Sequence, residues 1–246
     1  MTNYETMRAE LVENGKLRVA INLGNAALAF RDKATGELGG ITVALAKRLC
    51  AALGAEPELI EFPGAGKVVD AAADDVWRIA FCAIDPDREE HVAFSAPYVL
   101  IEAKALVRSD SPLRHVEDLN RRGVKLMVAK GSAYDLFLSE HAQHMELLRE
   151  ADPGASFAAF KADGGTADAV VGVTQSLEKA FGNDPAYRML DGTITAIGQA
   201  MALPRRFVHL ADELSRFVEE AKVDGYIRRE LDRSGQESLR VAPALK

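Results

Sequence analysis

Residues 39–84 read GGITVALAKRLCAALGAEPELIEFPGAGKVVDAAADDVWRIAFCAI, and the changing hydrophobic period within them decides the fold. From 39 to 55 the apolar residues recur at helical spacing until Gly54 stops them. PELIEF (57–62) is short and apolar, as a strand is. GKVVDAAADDV (66–76) returns to the helical period, and WRIAFCAI (77–84) is a continuous apolar run fit for a buried strand. Working outward, LRVAIN (17–22) adds a strand in front, so residues 17–84 predict β-α-β-α-β. A chain alternating in this way builds a parallel sheet with helices on its faces.

A second series of the same kind follows. VLIEAKALVRSD (99–110) reads as one long extended segment. After it come a short helix at VEDLN (116–120), a strand at VKLMVAKG (124–131) and a helix at SAYDLFLSEHAQ (132–143). MELLREA, SFAAFKADG, ADAVVGV (167–173) and TQSLEKAFGN continue as strand, helix, strand and helix. YRMLDGTITAIGQAMAL (187–203) is extended again, and 209–235 carries two amphipathic helices. The expected organisation is two α/β lobes, 16–101 with 197–235 and 105–193, joined by two extended crossings near 99–106 and 192–200. Residues 1–15 are expected as an N-terminal helical extension, and 236–246, which lack periodicity, as a loose tail.

Composition narrows the function classes. The 246 residues are 48% hydrophobic and 27% charged, with 30 basic against 37 acidic side chains and a formal net charge of -7. That balance argues against a nucleic-acid partner, which needs concentrated positive charge. The cysteines Cys50 and Cys82 sit in apolar contexts and read as buried free thiols. His141 and His144 share a helix beside Glu140, but no third metal ligand accompanies them. FPGAGKVVD (62–70) lacks the spacing of a phosphate loop, so no metal and no cofactor is expected. The N-terminus has Glu5, Glu10 and Glu13 and no apolar core, and no apolar run reaches transmembrane length. As written the chain reads as cytoplasmic with no membrane insertion; a periplasmic protein trimmed of its leader would read the same way.

The blocks LRVAIN, GGITVALAKRL, WRIAFCAIDPDREEHVAFSAPY, VEDLNRRGVKLMVAKGSAYDLFL and TADAVVGV fall in an order and spacing that resemble bacterial solute-binding proteins for polar amino acids. The resemblance covers roughly residues 16–235. It implies an α/β, two-lobed fold of the type II periplasmic-binding-protein kind, with two crossover hinge strands, that closes on a small molecule. An ABC-transporter permease is the implied partner if the chain is exported.

In that family the arginine of the IDPDREEHVAFSAPY block pairs with the ligand's α-carboxylate. Arg88 holds the position, and Asp85, three residues before it, is a further ligand-binding candidate. A planar guanidinium suits a carboxylate because two parallel charge-assisted hydrogen bonds form at once. The alternative is a surface arginine paired with Glu89 or Glu90. In the second lobe, Gly131 permits a tight turn into a helix beginning at Ser132, Ala133 and Tyr134, whose free N–H groups favour an anion. Ser132 can also be the N-cap, with Asp135 completing a capping box.

Departures from the family pattern bear on the ligand. The Asp that holds the ammonium group of amino acids is replaced by Val173. The first-strand loop has Asn22 and Asn25 in place of its acid and aromatic residue, Thr42 and Ala44 replace two further acids, and Phe81 and Ala83 replace small polar residues. An ammonium group with no carboxylate partner in an apolar pocket costs several kcal/mol. The ligand expected is therefore a small organic acid without a free α-ammonium group. Asn22, Asn25, Gln175 and Gln199 are candidates to hydrogen-bond its neutral end, or are satisfied structural amides. Glu102 and Lys104 lie in the first crossing and, by strand alternation, face one side. They are candidates for a proton-transfer pair, or else a hinge salt bridge. Since some members of this fold family are cyclohexadienyl dehydratases, a lyase acting on a small carboxylic acid is the second reading, and a cytoplasmic ligand sensor a third.

Overall fold

The alternation of strand and helix is carried out in the computed structural model, which describes residues 4–141, 144–162, 164–182 and 184–245. Two compact units result: residues 1–100 with 198–246, and residues 101–197.

The first unit begins with α1 (Tyr4–Leu11), β1 (Lys16–Asn22), the small hairpin β2 (Phe30–Arg31) and β3 (Leu38–Gly39), and α2 (Ile41–Leu53). Then come β4 (Glu56–Phe62), α3 (Ala65–Asp70), β5 (Ala80–Ala83), the single turn α4 (Pro86–Glu89) and the start of β6 (Val92–Arg108). Strand β1 runs parallel to β4, from Lys16 opposite Glu56 to Asn22 opposite Phe62. It meets the chain entering β5 through the parallel bridge of Val19 and Ile79. All three strands therefore end on the same side of the sheet. Their buried residues include Leu17, Val19, Ile21 and Phe81, and α2, which lies against β1 and β4, buries Ile41, Leu45 and Leu49. Helix α1 adds buried Met7 and Leu11.

Two sequence expectations are corrected here. The helix expected over 66–76 stops at Asp70, and the strand expected over 77–84 is regular only from Ala80. Between them Asp75 takes a left-handed φ of 57° and accepts ion pairs from Arg18, Arg78 and Arg206. Trp77 is fully buried, its indole N–H donating to the Val68 carbonyl at 2.9 Å. Three cations converging on one carboxylate hold the turn that helix propensity alone would have continued. The expectation of a loose tail also fails. Arg240 and Val241 form a short strand antiparallel to Leu100 and Val99, Ala242 N–H donates to the Tyr98 carbonyl at 3.1 Å, and Leu239 and Ala242 are buried.

The second unit takes the remainder of β6, a 3-10 turn at Val116–Leu119, β7 (Lys125–Ala129), α5 (Ala133–His141), β8 (Glu146–Glu150), α6 (Pro153–Ala162), β9 (Ala169–Val173), α7 (Thr174–Phe181), β10 (Tyr187–Met189) and the start of β11 (Thr195–Pro204). β7 is central, parallel to both β8 and β9. β9 runs antiparallel to β6, placing Ala103 opposite Val173 and Lys104 opposite Gly172. One face buries Leu126, Val128, Tyr134 and Leu138; the other buries Phe157, Phe160, Leu177 and Phe181. The chain then re-enters the first unit, where β11 pairs antiparallel with β5. It closes with a 3-10 segment (Arg205–Leu210), α8 (Ala211–Val223), α9 (Tyr226–Arg233) and β12 (Arg240–Val241).

Candidate functional site

In a parallel α/β sheet the loops after the carboxyl ends of the strands are where ligands bind, because helix starts and free loop donors collect there. In the first unit these are the loops after β1, β4 and β5. The first two touch: a Cβ on Gly24 would lie 2.7 Å from the Pro63 carbonyl oxygen, so only glycine fits. Asn22 accepts the Gly24 N–H at 2.9 Å and Asn25 the Ala27 N–H at 3.2 Å. Each amide oxygen is thus used in its own turn, while each side-chain NH2 has no acceptor among the described residues. Thr42 is buried, and its hydroxyl donates to the Leu28 carbonyl at 3.3 Å, anchoring the same loop.

Beyond β5, Asp85 caps α4, accepting the Asp87 N–H at 3.0 Å. One turn later Arg88 folds back, and its Nη1 donates to the carbonyl of Ala83 at 2.9 Å. The guanidinium is half-buried, and among the described residues no carboxylate lies within ion-pair distance of it. Glu89 and Glu90 do not pair with it. It is therefore a cation pinned to a strand end with most of its donors uncommitted. Phe81 lies in the core with 2% of its surface exposed, edge-on to Tyr98 at 5.9 Å, and Gln199 is buried opposite Ala83. Ala83 itself is half-buried.

In the second unit the matching loops follow β7 and β9. Gly131 takes a φ of 72° with nothing near its missing Cβ, so backbone conformation, not space, requires glycine. Ser132 is the cap: its Oγ accepts the Asp135 N–H at 3.1 Å. Asp135 reaches back one residue further than the expected capping box, accepting the Gly131 N–H at 2.9 Å, because the Ser132 N–H already donates to Ala129. Arg149 Nε pairs with the other Asp135 oxygen at 2.9 Å. The N–H groups of Ala133 and Tyr134, first in α5, keep no intrahelical partner. Tyr134 points its ring into the core, and burial pushes its phenol above the ordinary range.

Val173 ends β9 and begins α7, packed against the cluster that includes Ala103 and Ala105. Gln175 lies in the first turn of α7. The Glu102 carbonyl accepts from Thr174 Oγ1 at 3.0 Å, and its carboxylate from Thr193 Oγ1 at 3.3 Å. Glu102 and Lys104 are half-exposed between the buried Ile101, Ala103 and Ala105, so they share a face of β6. Among the described residues Lys104 forms no ion pair, so the two are not joined as a salt bridge. Thr193 and Arg149 were not singled out in the sequence; both act across folds of the chain that no local pattern marks. His141 stacks on Phe137 at 4.2 Å, and among the described residues no three His, Cys, Asp or Glu side chains converge as a metal site. Nor is any described helix long and apolar enough to cross a membrane.

The family description "bacterial extracellular solute-binding proteins, family 3" matches residues 17–234. The chain belongs to that family. Among curated relatives of this solute-binding protein, the glutamine-binding protein of Geobacillus stearothermophilus is 27% identical over 190 residues, 76% of this chain and 71% of that one. The ABC transporter glutamine-binding protein GlnH of Bacillus subtilis is 22% identical over 88% of this chain and 80% of its own. An amino acid ABC transporter substrate-binding protein of Streptococcus pneumoniae, solved bound to L-arginine, superposes with a TM-score of 0.65 at 21% identity, covering 95% of this chain and 98% of that one. An ancestral amino-acid-binding protein, described as a precursor of cyclohexadienyl dehydratase, gives 0.65 at 23% identity, covering 92% and 98%. The fold is the two-lobed α/β fold of type II periplasmic binding proteins.

Proposed function

We propose that this solute-binding protein takes a small organic acid that carries a carboxylate and lacks a free α-ammonium group, delivering it to an ABC-transporter permease if exported. The observation that carries the reading is Arg88, held at the end of β5 with no carboxylate among the described residues to satisfy it. The ligand's carboxylate supplies that partner in a two-point pair. The open N–H groups at the start of α5 and the amide NH2 groups of Asn22 and Asn25 are further donors, suited to a ligand rich in acceptors. Val173 argues against an amino acid. It is packed against alanines and valines and offers no carboxylate of its own to an ammonium group. A thermal-shift screen of small organic acids, with L-amino acids as controls, tests the reading. Stabilisation by keto, hydroxy, unsaturated or N-blocked acids is expected, and a micromolar response to L-glutamine or L-arginine would refute it.

A second reading rests on Glu102 and Lys104, which share a face of β6 without pairing, Glu102 being oriented by Thr193. A fixed carboxylate near an ammonium is an acid-base set, and the protein would then be a lyase of the cyclohexadienyl-dehydratase type. Incubating each hit with protein and weighing the product separates the two: an acid that loses water or CO2 supports the lyase. In that case Glu102→Gln should stop turnover and leave binding intact.

A further inference from the structure

The first unit contains a cavity of about 510 Å³ that the carboxylate site does not use. Its floor is apolar, made by Val69, Ala72 and Pro204. Its rim carries Arg205 and Glu90, both exposed. Of the other polar side chains lining it, Arg206 pairs with Asp75 and Asp70 with Lys67 at 3.2 Å, while the His91 imidazole is exposed. Arg205 and Glu90 have no side-chain partner among the described residues, and although they face one cavity they stand too far apart to form an ion pair with each other. Backbone hydrogen bonds join the two segments that carry them. The Arg205 N–H donates to the His91 carbonyl at 3.1 Å, and the His91 N–H to the Arg88 carbonyl at 2.9 Å.

We propose that this cavity binds a small zwitterion, its carboxylate on Arg205 and its cationic group on Glu90, with the carbon skeleton on the apolar floor. One uncommitted charge of each sign, separated by a cavity within the 300–1,000 Å³ common for small-molecule pockets, selects a ligand bearing both charges over one bearing either. An anion would gain Arg205 but meet Glu90, and a cation the reverse, so each single-charge ligand is opposed where the zwitterion is favoured. The site is independent of the proposed carboxylate site, although the two share the turn from Arg88 to His91.

The test is titration calorimetry at millimolar concentrations of glycine betaine and L-proline, with acetate and methylammonium as single-charge controls. Wild type, Arg88→Ala, Arg205→Ala and Glu90→Gln are compared. At least one zwitterion should bind wild type and Arg88→Ala alike and weaken about tenfold in each of the other two variants. Acetate and methylammonium should bind about tenfold more weakly than the zwitterion. Absence of binding by both zwitterions overturns the proposal. So does loss of binding in Arg88→Ala with retention in Arg205→Ala and Glu90→Gln, which would return the ligand to the carboxylate site. Because both rim residues are exposed and form no ion pair among the described residues, their substitution does not threaten folding.

Discussion

Replacing Arg88 by alanine tests the functional reading most directly. A guanidinium has five N–H donors. Here one is committed to the Ala83 carbonyl, and no carboxylate among the described residues takes the others. A two-point pair with a ligand carboxylate adds two charge-assisted hydrogen bonds, each worth about 1.5–3 kcal/mol. Because the side chain is half-buried, the lower part of that range applies, and the variant should lose about 3–4 kcal/mol of binding. That is a rise in Kd of roughly 10²–10³-fold. Folding should suffer little: the one hydrogen bond lost is charge-assisted, but on a half-exposed turn water replaces much of it, so about 1.5 kcal/mol is at stake, a fall in Tm of a few degrees for a chain this size. Titration calorimetry with the tightest acid from the screen, beside a melting curve, reads both quantities. Arg88→Lys keeps the charge but not the fork and should fall between wild type and Arg88→Ala. If Arg88→Ala binds within about threefold of wild type, the carboxylate does not sit on Arg88 and the reasoning fails.

Three further outcomes are expected. Asp135→Ala removes the partner of both Gly131 N–H and Arg149 at a buried position, and urea denaturation should show a loss of about 3 kcal/mol; a loss under about 1 kcal/mol would mean that this carboxylate does not anchor α5. Deleting residues 236–246 exposes the contacts of Leu239 and Ala242 and should destabilise the protein by about 2–4 kcal/mol. A deletion with an unchanged melting curve would show the tail to be loose after all. Burial pushes the thiols of Cys50 and Cys82 from 9.0 up to about 11. The folded chain then keeps protons that the unfolded chain releases, so stability present below pH 9 should fall as pH rises toward 11. At pH 8 a thiol reagent should label the native protein far more slowly than the denatured one, and equal rates would contradict the burial.

How much was legible depends on whether a feature is local. The strand β1, the amphipathic α2 and the run of strands and helices from β7 to α7 follow from period and stop residues, since burial of one face dictates the spacing of apolar side chains. The place of Arg88 after a strand end was legible through the family resemblance of its block, and the structure adds that neither Glu89 nor Glu90 pairs with it. The end of α3 was not legible: the run Ala71–Asp74 favours helix, and the ion pairs at Asp75 that end it come from Arg18 and Arg206, far away in sequence. Nor was the tail, whose two-residue strand has no period to read and owes its order to hydrogen bonds on Tyr98, Val99 and Leu100.

The same division runs through the site. By itself the sequence determined the α/β class, the family, and the placing of an arginine and a glycine-led helix start after strand ends. Only the tertiary structure decided that Phe81 belongs to the core and that Glu102 is held by Thr193 without pairing to Lys104. It also decided that Asp135 closes on Gly131 and Arg149. Periodicity records which face of an element is buried, whereas the partner of a polar group depends on which distant segment the fold brings within about 3 Å of it.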